Sequence, residues 1–254
     1  VIHFNPSYAR PINVLIFCFL LLSCAVFFGD WLRHRRQRRG DETESKDMET
    51  ILPAALTLLA LLIGFSFSMA AGRYDQRKQL EEEEANAIGT EYVRAELVPA
   101  HTAQIQELLR QYTEQRILFY EIRPGPELDQ VNKTTAELQN RLWAEIVPAA
   151  AAAPTPVTTL VAAGMNDLLN SQGYTQAMWW NRLPPGAWML MLLVATFCCL
   201  LFGYNVERKG RKRLFILPVI ISLSLALVGD MDSPRMGLIR VVPQNLHALQ
   251  ASLE

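Results

Sequence analysis

Four consecutive glutamates, Glu81 to Glu84, are the densest set of ionisable side chains in this 254-residue chain. On a helix Glu81 and Glu84 share a face, and paired carboxylates can hold a hard cation. A lone acidic run is more simply a solvated helix surface, so no metal is expected there. His3, His34, His101 and His247 lie far apart, with no spacing that joins them to a nucleophile or a ligand set. Cys18, Cys24, Cys198 and Cys199 all fall inside apolar runs and read as small buried hydrophobes, without a disulfide framework or zinc site. The phosphate-binding glycine loop, the nucleophile elbow and the paired-histidine zinc motif are all missing from the sequence. No catalytic residue, metal or cofactor is expected, and the chain does not read as an enzyme.

A more specific signal is GFSFSMAAGRY, Gly64 to Tyr74, where an apolar run passes into an arginine-bearing helix. Gly64, Ser66, Ser68, Ala70 and Ala71 are small enough for close helix contact. Leu61, Phe65 and Ser68 or Met69 share a face that could line a narrow apolar pore, of the kind that gates by dewetting. The plainer reading is that Phe65 and Phe67 touch lipid or another helix. Arg73, near the end of that run, can snorkel to headgroups, pair with an acid or attract anions. Asp230 and Asp232, in GDMDSPRMG, close the last apolar run. They can cap helices, hold Arg73 or Arg235, or stand near an ion path, and structural pairing is the leading reading.

These residues need a membrane scaffold to position them. Half the chain is hydrophobic, yet 24 basic and 25 acidic residues leave a net charge of −1, which argues for segregated apolar blocks and against a nucleic-acid partner. Four such blocks are Ile12 to Gly29, Ile51 to Gly72, Ala187 to Tyr204 and Leu214 to Gly229. The first is longer than a signal-peptide core and reads as a retained span. Pro53 is expected in the first turn of the second, and the fourth is short for a perpendicular span. Trp31, Trp179, Trp180, Trp188 and Tyr204 fit an interfacial aromatic belt. Six Lys and Arg between Asp30 and Thr50, and five after Tyr204, place 30–50 and 205–213 in the cytoplasm by the positive-inside rule. The termini and the region from Arg73 to Leu183 then face outward, although Arg73, Arg77 and Lys78 oppose that orientation.

The region from Arg73 to Leu183 carries ten basic and fifteen acidic residues and is helical in pattern throughout. The second span is expected to continue without a turn before Gly89, with Leu80, Ala87, Ile88, Tyr92 and Ala95 as its packed stripe. Ile105, Leu108, Leu109, Tyr112 and Phe119 recur at helical intervals. Arg123 to Pro126 is a break, and a helix over Thr134 to Val147 buries Leu138, Leu142 and Ile146. A hinge is expected over Ala149 to Pro156, then a helix to Leu169 and a short one reaching Arg182. The fold class is therefore an all-α integral membrane protein, with four transmembrane helices and a helical extramembrane body between spans two and three. Its parts are a first helix pair, 1–72, with the basic connector, the body, 73–186, and a second pair with its tail, 187–254.

The chain resembles the bacterial membrane proteins described as bestrophin-like. Three motifs carry the resemblance: Gly64 to Pro99, LRQYTEQR at Leu109 to Arg116, and GDMDSPRMGLIRV at Gly229 to Val241. With the spans and the middle region they cover nearly the whole chain. Bestrophins are pentameric anion channels whose second membrane helix lines the pore, and Gly64, Phe65, Arg73 and Tyr74 look similar to that helix. The resemblance implies a neck of Thr57, Leu61 and Phe65, with Thr57 a polar departure from an apolar pattern. No counterpart of the acidic calcium-sensing cluster is found, so calcium control is not implied. The resemblance also puts the termini and body in the cytosol, opposite to the charge count.

The expected function is an oligomeric channel, pentameric by what that resemblance implies, passing small anions such as chloride across a bacterial inner membrane. The alternative is a non-conducting scaffold or sensor whose body, residues 73–186, binds a protein partner. The lipid bilayer is the one partner both readings require.

Overall fold

The computed structural model describes residues 11–38, 45–205 and 214–253. Every regular element among them is helical: α1 (Pro11–Gln37), α2 (Ser45–Arg94), a 3-10 turn (Ala95–Leu97), α3 (Thr102–Glu121), α4 (Pro126–Ala152), α5 (Pro156–Trp180), α6 (Pro185–Asn205), α7 (Ile216–Asp232) and α8 (Gln244–Leu253). The chain groups into two compact units. One takes the chain to Gly72 together with Arg182–Ile239, the other Arg73–Asn181 with Arg240–Glu254.

The first unit is built for lipid. Three stretches among the described residues contain a run long and apolar enough to cross a membrane: Pro11–Arg36, Ile51–Leu97 through its part up to Gly72, and Pro156–Asn205 through its charge-free part, α6. The helix α7 is also apolar from Ile216 to Gly229, 14 residues that cover only about 21 Å at helical rise. The core forms where Val14, Cys18, Leu22 and Val26 of α1 meet Met191, Ala195, Cys198 and Cys199 of α6 and Ile221, Leu225 and Val228 of α7. Backbones touch where α1 crosses α6. A Cβ added to Gly203 would sit 2.8 Å from the Val26 carbonyl carbon, and one at Gly29 would sit 2.9 Å from the Tyr204 amide nitrogen. Glycine is required at both, because any side chain would force the helices apart. Arg36 ties the same pair by donating to the Tyr204 hydroxyl at 3.1 Å.

The second unit packs α3 against α4 and α8, and α4 against α5. All five of the periodic positions Ile105, Leu108, Leu109, Tyr112 and Phe119 are buried, as are Leu138, Leu142 and Ile146. Phe119, Tyr120 and Trp179 make a T-shaped aromatic cluster with ring centroids 5.2–5.5 Å apart. Thr155 opens α5 with a reciprocal capping box to Thr158, and Pro156 follows at the first helical position.

Several expectations change. The helix α2 starts at Ser45, so Pro53 lies inside it rather than in its first turn, while its continuation without a turn before Gly89 is as expected and ends at Arg94. The expected hinge shrinks to residues 153–155, because α4 continues through Pro148 to Ala152. The expected pair of helices up to Arg182 is one, α5, unbroken at Gly173. Cys24 is exposed, unlike the other three cysteines. Trp179 and Trp188 are buried, so the exposed Trp31 and Trp180 alone among the tryptophans fit an interfacial belt. Leu80 is only half-buried and is absent from the core. The helix α8 carries no motif that the sequence reading used. The basic residues at 39–44 and 206–213, and His3, lie outside the described residues.

Candidate ion-path face and its buried carboxylates

The helix α2 divides its apolar span between two faces. Leu52, Ala55, Leu56, Leu59, Leu62, Ile63 and Ala70 pack into the membrane core. Leu58, Leu61, Phe65, Ser68 and Gly72, three or four residues apart, are exposed along the other side, with Thr57 beside Leu58. Phe65 is 66% exposed and Leu61 53%, high values for large apolar side chains. Only 11% of this span is buried, against 39% for each of the other two. A Cβ at Gly64 or Gly72 would meet nothing within 4 Å. The structure thus places Thr57, Leu61, Phe65 and Met69 on the uncovered side of one helix, with Met69 toward the edge of the stripe. The Thr57 hydroxyl donates to the Pro53 carbonyl at 2.9 Å, so its polar hydrogen is satisfied inside the helix. That lessens the polar departure at this position.

Arg73 lies on the same helix, half-buried, about 12 Å beyond Phe65 at helical rise. Asp230 and Asp232 are buried at the end of α7 and are held by main-chain donors. Asp230 accepts the Leu238 amide at 2.6 Å and the Ile239 amide at 2.9 Å. Asp232 accepts the Leu183 amide through both oxygens, at 3.1 and 3.0 Å. A Cβ at Gly237 would fall 2.7 Å from the Asp230 carbonyl oxygen, so glycine lets the loop fold back onto the helix end. Arg235 is buried in that turn. The motif is therefore a latch that shapes the chain after α7, with charge-assisted bonds worth about 1.5–3 kcal/mol each.

The acidic run is not the solvated surface that its composition predicts. Glu82 and Glu83 are exposed, but Glu81 and Glu84 are buried, with Arg77, Ile88, Glu91 and Ala95 on the same inward stripe. Glu81 accepts the Leu246 amide at 2.9 Å and the Asn245 side-chain amide at 2.7 Å, capping the first turn of α8. Arg77 donates to the Met178 and Asn181 carbonyls, at 3.4 and 3.0 Å, and closes the C-terminal end of α5. Glu84 pairs with Arg116 and also accepts from the hydroxyls of Tyr120 and Thr175, each at 3.3 Å. Burial works against the Arg116 charge, but the Glu84 carboxylate more than offsets it, and its guanidinium stacks 4.2 Å over Phe119. Burial and the nearby Glu84 charge push the Tyr120 hydroxyl well above its ordinary pKa, so it stays a proton donor.

Among the described residues no three His, Cys, Asp or Glu side chains converge on a metal position. His34, His101 and His247 each face a different carboxylate: Asp30, Glu145 and Glu121.

The comparisons give the family and the fold. A family model for the bestrophin-like domain matches residues 17–246. A single-residue variant of a bacterial bestrophin homologue from Klebsiella pneumoniae aligns with a TM-score of 0.68 at 15% identity, over 94% of this chain and 97% of the other. A second structure of a bestrophin homologue from that organism, phased on zinc, gives 0.66 at 16% identity, over 94% and 96%. Another single-residue variant gives 0.67 at 14% identity, over 97% and 96%. No curated protein matches the chain.

Proposed function

The chain belongs to the bestrophin-like family, and from that premise we propose that it is an oligomeric channel for small ions in a bacterial inner membrane, with α2 of each copy around a shared axis. The observation that carries this reading is the uncovered face of α2. A span that leaves Leu61 and Phe65 more than half exposed, among the small residues Thr57, Gly64, Ser68 and Gly72, is shaped to meet copies of itself across a narrow space. Leu61 and Phe65 form the constriction, Thr57 and Met69 flank it, and Arg73 stands beyond it. The short helix α7 serves as the fourth span, completing helix pairs in 1–72 and 187–254 around the body 73–186. Asp230, Asp232 and Arg235 act by fixing the chain after that span and not by touching the ion. The Arg77 side chain is committed to the end of α5, so it carries little weight against the positive-inside orientation.

Family resemblance implies small anions, such as chloride. A second reading on ion sign has its own support. Beyond Arg73 the exposed stripe passes through Asp75, Gln76, Gln79, Glu83, Asn86 and Thr90, where Asp75 and Glu83 bring formal negative charge. A ring of carboxylates at a pore mouth favours cations.

Reconstitution in liposomes tests the function. Purified protein should pass ions, and Phe65→Ala, which removes a large apolar group from a dry neck, should raise the flux several-fold. The reversal potential in a salt gradient reads the ion sign. Absence of flux from correctly assembled protein, with a stoichiometric partner co-purifying, would instead establish the scaffold reading. That rival draws on the exposed Trp143 and Val147, one turn apart on α4.

A further inference from the structure

Glu91 is the one acid on the inward stripe of α2 that has no hydrogen-bonding partner. Its side chain is fully buried, and neither carboxylate oxygen meets a donor among the described residues. The nearest cation is the Arg94 guanidinium, one turn along the same helix at 3.9 Å, outside hydrogen-bond reach. From α5, the backbone of Gly164 presses directly on this pair. A Cβ there would overlap both the Glu91 carboxylate and the end of Arg94, so glycine leaves the space that the two side chains occupy. Asp167, exposed one turn further along α5, adds like charge, and Glu96 in the following turn is exposed.

We propose that Glu91 and Gly164 form a proton-operated latch between the C-terminal end of α2 and α5, closed when Glu91 is protonated and loosened when it ionises. A neutral carboxylic acid fits a dry helix contact. A carboxylate there needs donors, which the contact supplies only by drawing in Arg94 or by opening to water. Burial, with the Asp167 charge adding to it and Arg94 opposing, raises the Glu91 pKa to about 8. The closed state therefore keeps a proton that an opened, solvated Glu91 releases near the ordinary carboxylate value. Closure is then strongest at low pH and weakens as pH rises toward about 8, levelling off above it. The latch is independent of whether the protein conducts.

Hydrogen–deuterium exchange on the full chain in nanodiscs, corrected for the intrinsic effect of pH, tests it. In peptides covering 156–170 the opening constant should rise by about tenfold per pH unit from pH 6 and flatten near pH 8. Glu91→Gln should abolish that slope. Asp167→Asn, at an exposed site, should move the plateau to lower pH by removing the like charge. A wild-type profile without slope, a slope that survives in Glu91→Gln, or a plateau unmoved in Asp167→Asn would overturn the latch. Should the Glu91 variant fail to fold, the Asp167 variant still decides.

Discussion

Arg116 and Glu84 meet inside the body with neither side chain exposed to solvent, and the Nη1 atom of Arg116 has no acceptor. A buried pair of this kind contributes little net stability, because desolvation offsets attraction, but losing one partner strands a charge. Arg116→Met alone should therefore destabilise the protein by about 3–5 kcal/mol. Adding Glu84→Gln should recover much of that loss, which a double-mutant cycle on thermal unfolding will measure. A sum of independent penalties would show that the pair is not coupled. The burial of these acids was legible in one respect. Arg77, Glu81, Glu84, Ile88, Glu91 and Ala95 recur at three- and four-residue steps, with Ile88 and Ala95 marking the stripe as inward. Composition misled because four adjacent glutamates suggest one solvated patch, whereas on a helix they point in different directions. The partners of Glu81 and Glu84 come from α8, α3 and α5, and no local spacing announces contacts of that range.

Among the elements, α1 and α6 show how little apolar patterning says about packing inside a membrane. Their runs were plain from hydropathy, but both read as apolar all round, so periodicity could not choose a contact face. Small residues make that choice. Gly29 and Gly203 sit where one backbone crosses the other, and each would need the opposing main chain to move before it accepted a methyl group. Gly203→Ala should lower the thermal midpoint by several degrees in detergent, whereas Gly186→Ala, with no atom within 4 Å of the added carbon, should not. Equal midpoints for the two variants would remove the glycine contact as a determinant of this helix pair. The helices α4 and α5 run further than the sequence reading carries them, which ends one at Val147 and the next at Leu169. Pro148 and Gly173, both exposed, stay within α4 and α5, because burial of Ile146 and Ala149 in one helix and of Thr175 and Trp179 in the other outweighs a local cost of about 1–3 kcal/mol.

At the scale of the whole molecule, the proposed assembly sets the uncovered stripe of α2 against other copies. Copies arranged about this helix bring Leu61 of one near Leu61 of the next, while a monomer in lipid leaves it isolated. With Cys24, the exposed native thiol, changed to alanine, Leu61→Cys should form disulfide-linked dimers in native membranes, resolved on a non-reducing gel. Met189→Cys, on a 67% exposed position of α6, provides the lipid-facing control. Cross-linking at Met189 but not at Leu61 would move the interface away from α2. The shortness of α7 bears on where such an assembly settles. Its apolar length, about 21 Å from Ile216 to Gly229, falls short of a typical hydrocarbon core of roughly 30 Å. Its far end cannot slide deeper, because Asp230 and Asp232 anchor it to the main chain beyond. As the proposed fourth span, α7 would make the bilayer thin around each copy, so membranes with shorter acyl chains would hold this protein at least elastic cost.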